Sequence, residues 1–401
     1  MKRIVVINQH GSNRGDEAAC RAMIYGLQQE IPGCEIDLFV MYPLAIEDTD
    51  TVRLHPAIQL RGGTARRQIL RAMRLLTRFW TGLGRTPEVS HLRRCLQAAD
   101  LVISAPGGPY LGELYPYTEM EVMAHLFAAL SLGKPVMIYA PSMGPFNIPW
   151  RNRLRRWLLR RMALITVREQ RSADMLATSL GVAIPPEQVT CDSALQKPVE
   201  PCGPELQPYR ERSEGAVGLI PLELERFDTE EKAEAYRSLL QQVIEWIVHD
   251  LNRSVAMFPQ GYGAWRDDPL LQELKACSPD PSRVIVLPET MHSDHQQSLI
   301  GRLAGMISFR YHPGIFAVRQ AVPSVVIAYE HKARGFMAAA GLTDACLDLS
   351  SVTLESIRDV LLHELAHAEE RAATLSTRLD PLVERSRRTS VLAARLISGA
   401  R

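Results

Sequence analysis

Cysteine is scarce and scattered in this chain, and its pattern excludes two kinds of site. The seven cysteines are odd in number and form no CxxC pair; they stand at 20, 34, 95, 191, 202, 277 and 346. We therefore expect neither a disulfide framework nor a zinc site, and no metal or other cofactor. Free thiols are typical of a reducing cytoplasm.

Long apolar runs are also missing. The chain starts directly with a predicted strand, MKRIVVIN, instead of the apolar core of a signal peptide. No uninterrupted stretch approaches the ~20 apolar residues that a membrane-spanning helix needs. We expect a cytoplasmic protein, and any contact with a membrane would be peripheral, at its inner face.

Neither sign of charge dominates the composition. Lysine and arginine total 46 against 45 aspartates and glutamates, a formal net charge of +1, so bulk electrostatics does not favour nucleic-acid binding. The apolar fraction of 46% and the charged fraction of 23% are ordinary for a globular protein with a large core. At ~100–200 residues per domain, the length of 401 residues predicts two domains.

Acidic residues are nearly absent from two segments. The basic insertion, residues 61–94, holds nine arginines against the single acid Glu88. Residues 151–171 hold eight arginines against Glu169. These segments need an explanation other than net charge.

Each basic segment contains a predicted amphipathic helix, over 68–81 and over 150–162. The apolar residues 150, 154, 157 and 158 of the second helix are expected to pack on a sheet. Two interpretations of the basic faces stay open: solvated faces of domain helices, or surfaces that dock on anionic lipid or a lipid-linked substrate. Trp80 suits docking, because aromatic rings favour the membrane interface.

Predicted strands and helices alternate along both halves of the chain. This alternation is typical of parallel sheets covered by helices on both faces. The predicted fold class is α/β, with two Rossmann-like domains and a cleft between them. The predicted domains are residues 1–196, a proline-rich linker at 197–215, residues 216–350, and C-terminal helices at 351–401, which chains of this architecture often return to the first domain.

Polar residues and glycines collect after the predicted strands, where ligands bind in open α/β sheets. Several have structural alternatives: Asp16 suits a helix N-cap, Asp192 suits a cap after a strand, and the paired glycines suit a turn. The candidates in the N-terminal half are Asn13, Gly15, Asp16, Glu17, Gly107, Gly108, Ser142, Arg168 and Asp192.

The segment 307–336 carries the clearest signal. Arg310 and His312 stand two residues apart on a predicted extended segment, so both side chains would point to one side. A helix predicted to start at Pro313 would add backbone amides, and together these groups suit a phosphate or carboxylate. Lys332, after the next strand, is a second cation or a solvated surface lysine.

Six motifs follow one another along the chain: NRGDEAA, APGGPYL, SMGPF, REQRS at 168–172, CDSAL at 191–195, and SFRYHPGIFA followed by YEHKARGF. Their order resembles that of the polysaccharide pyruvyl transferase family. The chain departs from the family pattern where Pro106-Gly107-Gly108-Pro109 replaces three glycines and where Pro313 replaces a common glycine.

The resemblance implies a GT-B-like fold and transfer of pyruvate from phosphoenolpyruvate to two hydroxyls of a sugar, giving a cyclic ketal and phosphate. The acceptor would be a polysaccharide or cell-wall precursor, free or lipid-linked. Arg168, Arg310 and Lys332 would bind the donor. His312 would act as general acid, and Asp16 or Glu17 would take the hydroxyl proton. This scheme requires no metal.

Two other functions are compatible with the sequence. A GT-B-type glycosyltransferase would use the same layout with a nucleotide sugar as donor. A repurposed member of the family would bind another anionic metabolite. The presence of Asp16, Arg310, His312 and Lys332 argues against lost catalysis, but it leaves the acceptor and the donor open.

Overall fold

The computed structural model describes residues 1–11, 13–42, 46, 48–60, 65–224, 227–263 and 266–399, without the side chains of 65, 66, 116 and 117. Residues 61–64 of the basic insertion therefore lie outside the described residues. The chain forms two compact units. Unit 1 comprises Met1–Gly11, Ala19–Lys197 and Val383–Arg401, and unit 2 comprises Ser12–Ala18 and Pro198–Leu382.

This division differs from a simple split of the chain into halves. The short segment 12–18, which the sequence-based boundaries assign to the N-terminal domain, belongs to unit 2. The end of the last helix, from residue 383, belongs to unit 1. The candidate residues Asn13, Gly15, Asp16 and Glu17 are consequently part of unit 2.

Unit 1 is built on a parallel sheet of six described strands in the order β3-β2-β1-β4-β5-β6. The order reverses between β1 and β4, and such a reversal is where open α/β sheets bind ligands. The strands are β1 (Arg3–Gln9), β2 (Glu35–Val40), β3 (Val52–Pro56), β4 (Leu101–Ser104), β5 (Val136–Ile138) and β6 (Leu164–Ile165); the helices are α1 (Arg14–Glu30), α2 (Ala65–Thr81), α3 (Pro87–Ala98), α4 (Pro116–Ser131), α5 (Pro149–Leu159) and α6 (Gln170–Leu180).

Strand β1 shows why the sheet is covered on both faces. Ile4 and Val6 pack into one hydrophobic cluster, whereas Val5 and Ile7 pack into another. Successive side chains of a strand point to opposite faces, so a strand buried on both sides becomes a continuous apolar run. This run is the signal that made β1 predictable.

Unit 2 repeats the plan, with six described parallel strands in the order β12-β11-β10-β7-β8-β9. Its order reverses between β7 and β10. The strands are β7 (Val217–Ile220), β8 (Val255–Met257), β9 (Val284–Val286), β10 (Gly305–Ser308), β11 (Ser324–Ala328) and β12 (Cys346–Asp348); the helices are α7 (Gln207–Ser213), α8 (Glu230–His249), α9 (Asp268–Ala276), α10 (Ser293–Ile300), α11 (Tyr311–Val318), α12 (His331–Ala340), α13 (Leu354–Ala366) and α14 (Ala368–Ser398).

The predicted linker, 197–215, contains helix α7. The prolines of this segment predict a linker without regular structure. Pro208 instead lies in the first turn of α7, where a missing N–H group costs nothing. Leu206 and Ser213 are buried, so the segment is packed against the protein and is not a solvent-exposed linker throughout.

Helix α5 turns a different face to the core than we expected. Leu158 and Leu159 are buried, as predicted in part, but Trp150, Leu154 and Trp157 are exposed. The packing prediction for these three residues is wrong. Arg155 takes the inward position instead, because its charge is paired there with Glu119 and Glu113.

Candidate active site

The first turn of α1 belongs to unit 2, and its N-cap is Asn13, not Asp16. Asn13 Oδ1 accepts a hydrogen bond from the Asp16 N–H at 2.8 Å, and Asn13 Nδ2 donates to the Asp16 carboxylate at 2.9 Å. The backbone of this turn is anchored to the loop after β8, because the Arg14 N–H donates to the Gln260 carbonyl at 2.8 Å. The Asp16 carboxylate is thereby held at a fixed place.

Gly15 packs directly against the imidazole of His312. A Cβ atom built on Gly15 would lie 2.0 Å from His312 Nδ1 and 2.5 Å from its Cγ. The first turns of α1 and α11 therefore approach each other as closely as a glycine allows. Gly15 is required here for space, and His312 is 8% exposed beside it.

Glu17 is fully buried and joins α1 to α10. One carboxylate oxygen accepts a hydrogen bond from the N–H of Ser293, the first residue of α10, at 2.7 Å. The other oxygen pairs with Arg14, whose guanidinium stacks 4.3 Å from the centre of the Tyr262 ring. A carboxylate at a helix N-terminus is favourable to the helix dipole. These contacts hold helices together.

Arg310 and His312 do not share one extended segment. Helix α11 begins at Tyr311, two residues before the predicted start at Pro313, and Arg310 is its extended N-cap residue. The backbone turns between the two side chains, so the prediction that they point to one side from a strand is wrong. His312 meets Gly15, whereas Arg310 points to the carboxyl end of β7.

The Arg310 guanidinium lies at the switch point of the unit 2 sheet, between the carboxyl ends of β7 and β10. Its Nε donates to the Pro221 carbonyl at 2.8 Å, and its terminal nitrogens bind Asp267 at 2.6 Å and Glu223 at 3.2 Å. The other Asp267 oxygen accepts the N–H groups of Gln260 and Gly261, each at 2.7 Å. Through Asp267, Arg310 orders the loop that holds the first turn of α1.

Lys332 lies in the first turn of α12 and is paired with Glu330 at 3.0 Å. Its ammonium group also lies 5.7 Å from the centre of the Tyr311 ring and 5.9 Å from that of Tyr329. Cations at this distance from aromatic faces are attracted to them. Lys332 is therefore a buried cation held by aromatic rings and one acid.

The expected cationic patch is balanced by acids that the sequence analysis overlooked. Glu330 precedes Lys332 by two residues, and this spacing could have revealed it. Glu223 and Asp267 come from other loops, and only the fold brings them to Arg310. Within the described residues, neither α11 nor α12 has a side-chain hydrogen bond from its N-cap residue. Helix N-termini favour anions. The N-termini of α11 and α12 therefore add to the attraction for an anion that Arg310 and Lys332 provide.

The unit 1 candidates also come together, as one buried network after β5 and β6. Arg168 donates to Ser142 Oγ at 2.8 Å and to Asp192 at 2.6 Å. The Ser142 N–H donates to the carbonyl of Gly107 at 3.3 Å, and Asp192 accepts the Ala194 N–H at 2.9 Å. Four of the sequence motifs thus form one set of interactions that fixes the loop starting at Ser142.

Gly107 and Gly108 follow β4, beside the switch point of the unit 1 sheet. Gly107 has a φ of 156°, which favours glycine. A Cβ atom on Gly108 would lie 3.4 Å from the Tyr110 ring, an ordinary contact, so space does not require glycine there. The backbone conformation accounts for Gly107.

Comparisons with known proteins agree on the fold and on the family. The family model for polysaccharide pyruvyl transferase matches residues 13–331. The chain is 24% identical over 381 residues to the amylovoran biosynthesis protein AmsJ of Erwinia amylovora, covering 89% of this chain and 90% of AmsJ. Its fold is similar to those of two UDP-GlcNAc 2-epimerases. The Neisseria meningitidis enzyme has a TM-score of 0.58 at 14% identity, and the Methanocaldococcus jannaschii enzyme has 0.58 at 12%, both covering 100% of each chain.

The structural matches and the family match support different conclusions. The solved structures are too distant in sequence to show more than an α/β fold of the GT-B-like kind, which the two parallel sheets also show. The family model spans most of the chain and includes Asn13, Gly15, Asp16, Arg310 and His312. The chain belongs to the polysaccharide pyruvyl transferase family, and so is a transferase of polysaccharide biosynthesis.

Proposed function

We propose that this protein transfers pyruvate from phosphoenolpyruvate to two hydroxyls of a sugar, forming a cyclic ketal and releasing phosphate. The observation that carries the proposal is the packing of His312 against Gly15, beside Asp16, within a family of pyruvyl transferases. Gly15 packs against the His312 imidazole, and Asn13 binds the carboxylate of the next residue, Asp16. An imidazole and a carboxylate suit a reaction that needs a general acid and a general base.

The donor carries a phosphate and a carboxylate, and the site offers backbone and side-chain donors to both. The N-termini of α11 and α12 supply amides, and Lys332, which is paired with Glu330, supplies a positive charge. Arg310 would need to release Glu223, whose contact of 3.2 Å is its longer ion pair, whereas Asp267 at 2.6 Å keeps the loop in place. Arg168, Ser142 and Asp192 shape the unit 1 loop that carries the family motif.

The chemistry balances with these residues and no redox step. His312 delivers a proton to the methylene carbon of phosphoenolpyruvate, and the first sugar hydroxyl attacks the adjacent carbon while Asp16 accepts its proton. The C–O bond to phosphate then breaks, and the second hydroxyl closes the ketal. Of the two hydroxyl protons lost, one balances the new methyl group and the other leaves with phosphate. Glu17 supports Asp16 by fixing the first turn of α1.

Donor binding and phosphate release test the proposal. We expect phosphoenolpyruvate to raise the melting temperature of the wild-type protein, since a ligand of the native state stabilises it. Lys332→Gln should weaken this shift. His312→Ala should keep the shift but lose ~100-fold or more of phosphate release with acceptor, the usual contribution of a general acid. Stabilisation by UDP or GDP sugars instead of phosphoenolpyruvate would overturn the proposal in favour of a glycosyltransferase.

The acceptor is proposed to be a lipid-linked glycan precursor at a membrane surface, because unit 1 has an unusual exposed face. Within the described residues, no helix is long and apolar enough to cross a membrane. On α2, the exposed side chains of Ile69, Met73 and Trp80 follow one stripe, at spacings of four and seven residues. The stripe lies beside the buried side of the helix.

A matching stripe lies on α5, and α4 connects the two. Trp150, Leu154 and Trp157 recur at spacings of four and three residues and are exposed. The Phe127 ring of α4 lies with its centre 5.3 Å from that of Trp80 and 5.3 Å from that of Trp157. The three helices therefore share one apolar and aromatic face, and exposed apolar patches of this kind mark interaction sites.

Exposed arginines lie on both of the outer helices, α2 and α5. Arg74 and Arg78 on α2, Arg153 on α5 and its C-cap residue Arg160 are exposed, and neither helix contains an acidic residue. Indole and apolar groups rimmed by guanidinium groups suit the headgroup region of an anionic bilayer. A second copy of the same face would bring like charges together, which disfavours a dimer through it.

Vesicle co-sedimentation tests this docking surface. We expect binding to phosphatidylglycerol-containing vesicles, weakening with salt, and little binding to phosphatidylcholine alone. Met73→Ser with Trp150→Ser should reduce binding without unfolding the protein, because these side chains are 60% and 59% exposed. Arg74→Glu with Arg78→Glu should abolish it.

The matched control lies in unit 2, where Leu362 and Arg212 are also exposed. Leu362→Ser with Arg212→Glu should leave vesicle binding unchanged. Equal binding by all variants, or a dimer in light scattering that Met73→Ser with Trp150→Ser dissociates, would remove the membrane proposal. Pyruvyl transfer to a soluble acceptor should survive these substitutions.

A further inference from the structure

Four polar side chains form a chain in unit 1 that the proposed reaction does not use. Asp37 lies on β2, His55 on β3, and His91 and Cys95 lie one turn apart on α3. His55 Nε2 is 2.9 Å from Asp37 Oδ1, His55 Nδ1 is 3.1 Å from His91 Nε2, and His91 Nε2 is 3.7 Å from Cys95 Sγ. The ligand atoms of the last three residues all lie within 4.8 Å of one another.

We propose that His55, His91 and Cys95 bind a divalent transition-metal ion of the zinc type. Tetrahedral zinc has Zn–N bonds of ~2.0–2.1 Å and Zn–S bonds of ~2.3 Å, so its ligands lie about 3.4 Å apart for two nitrogens and about 3.6 Å apart for nitrogen and sulfur. The separations of 3.1 Å and 3.7 Å are close to these values. Imidazole and thiolate are ligands that zinc prefers.

Asp37 supplies the support that metal-binding histidines usually have. A ligating histidine commonly donates its other ring N–H to a carboxylate, which fixes the tautomer and orients the ring. Asp37 accepts from Nε2 of His55, so Nδ1 carries a lone pair toward His91 and Cys95. This is the arrangement in which His55 binds an ion through Nδ1.

Burial shifts the pKa of two of the proposed ligands. Burial lowers the pKa of His91, and the neighbouring His55 lowers it further. Burial raises the pKa of the Cys95 thiol. Binding of an ion to the thiolate would release the Cys95 proton.

A second cluster of ligand-type residues in unit 2 lacks this character. Asp344, His363 and Glu364 also lie within reach of one another. Both carboxylates, however, are bound by the guanidinium of Arg371. A fixed cation already neutralises these acids, so we assign no metal to them, and His363 serves as a control.

The proposed ion would connect an edge strand to a helix. Strand β3 is the end of the unit 1 sheet and pairs with β2 alone among the described strands. His55 comes from β3, whereas His91 and Cys95 come from α3. Three protein ligands leave the fourth position for water. Binding should therefore clamp β3 against α3 and raise the thermal stability of the whole protein.

Cobalt titration of the full-length, chelator-treated protein is the direct test. Co²⁺ with a thiolate ligand in a tetrahedral site gives a near-ultraviolet charge-transfer band and intense visible absorption. We expect both to saturate at one equivalent and to be displaced by Zn²⁺. This measurement needs no substitution, so a folding defect cannot confuse it. Absence of the charge-transfer band at saturating Co²⁺ would overturn the proposal.

Substitutions assign the ligands. Cys95→Ser should abolish the charge-transfer band, and His91→Gln should weaken Zn²⁺ binding by more than ~10-fold. Asp37→Asn should weaken it ~10–100-fold while keeping the band, because it acts through His55. Cys277→Ser and His363→Gln, which alter an exposed thiol and an unrelated histidine, should change neither property. Zn²⁺ affinity unchanged in both Cys95→Ser and His91→Gln would contradict the assignment.

Discussion

Gly15 leaves no space for a side chain between α1 and His312. A Cβ atom there would approach His312 Nδ1 to 2.0 Å, so Gly15→Ala must displace the imidazole. Alanine is otherwise the better helix former by about 1 kcal/mol, and the helix itself should not suffer. We predict that Gly15→Ala retains its melting temperature within a few degrees and loses ~100-fold of pyruvyl transfer, as misplacement by an ångström can cause.

The matched control is Gly335→Ala in α12. Gly335 is also helical, and a Cβ atom on it would meet nothing within 4 Å. This variant should keep full activity. Unchanged activity in Gly15→Ala, measured as phosphate released with acceptor present, would show that the position of His312 does not matter to the reaction.

His125 makes stability depend on pH. Its imidazole is fully buried on α4, with Nδ1 3.0 Å from Asn8 Oδ1, and burial lowers its pKa from 6.5 to about 4. The unfolded chain binds this proton at higher pH than the native chain does. Stability from the neutral imidazole is therefore fully present above pH 6.5 and is lost as pH falls through that value toward 4.

The loss should reach about 3 kcal/mol, at about 1.4 kcal/mol per pKa unit. Urea unfolding at pH 7 and pH 5 should show about 2 kcal/mol of this loss, because the rest develops only as pH falls toward 4. His125→Gln should flatten the pH dependence because glutamine does not titrate. An identical slope in wild type and His125→Gln would place the pH dependence in other groups.

Helices α4 and α5 are joined by a buried ion pair. Arg155, 1% exposed, donates to both carboxylate oxygens of Glu119, at 2.7 and 2.8 Å, and to Glu113 at 2.6 Å. Removing one partner of such a pair leaves a buried charge. We predict that Arg155→Met lowers the free energy of unfolding by about 3 kcal/mol or more, and that adding Glu119→Gln recovers part of the loss.

Arg153→Met is the control on the same helix, because Arg153 is exposed and should change stability by less than about 0.5 kcal/mol. The measurement is a double-mutant cycle by urea unfolding. Equal stability of Arg155→Met and Arg153→Met would contradict the role assigned to the buried pair.

The elements that sequence analysis predicted are those whose burial is visible as periodicity. Strand β1 is buried on both faces and appears as an apolar run. Strand β3 has one buried side chain, Val52, because it lies at the sheet edge, and its sequence lacks such a run. The prediction for helix α5 was wrong because Arg155 is buried and Trp150 is exposed. A hydrophobicity pattern places the arginine on the exposed face and the tryptophan on the buried face.

In the candidate site, too, the residues that local motifs reveal were predicted and those that only the fold brings together were not. Asn13, Gly15 and His312 were recognisable from motifs, and the structure brings Gly15 and His312 together. Glu223 and Asp267 were not recognisable, because they come from separate loops that meet Arg310 only in the folded sheet. The ligand set around His55 was missed for a similar reason: its members belong to a strand and a helix far apart in the chain.

The whole molecule repeats one plan twice and uses the copies differently. Both sheets have the Rossmann order with a switch point, at β1 and β4 in unit 1 and at β7 and β10 in unit 2. Unit 2, which includes the first turn of α1, contains the proposed acid and base. Unit 1 contains the Arg168 network, the three-helix face and the proposed metal site.

The central claim is that a pyruvyl group moves from phosphoenolpyruvate to a sugar. Mass spectrometry of candidate glycan precursors incubated with the protein and phosphoenolpyruvate tests it most directly. The account predicts the mass gain of one pyruvate ketal with one phosphate released per ketal, and neither product with His312→Ala. Phosphate released without any change in acceptor mass, or a hexose added from a nucleotide sugar, would contradict it.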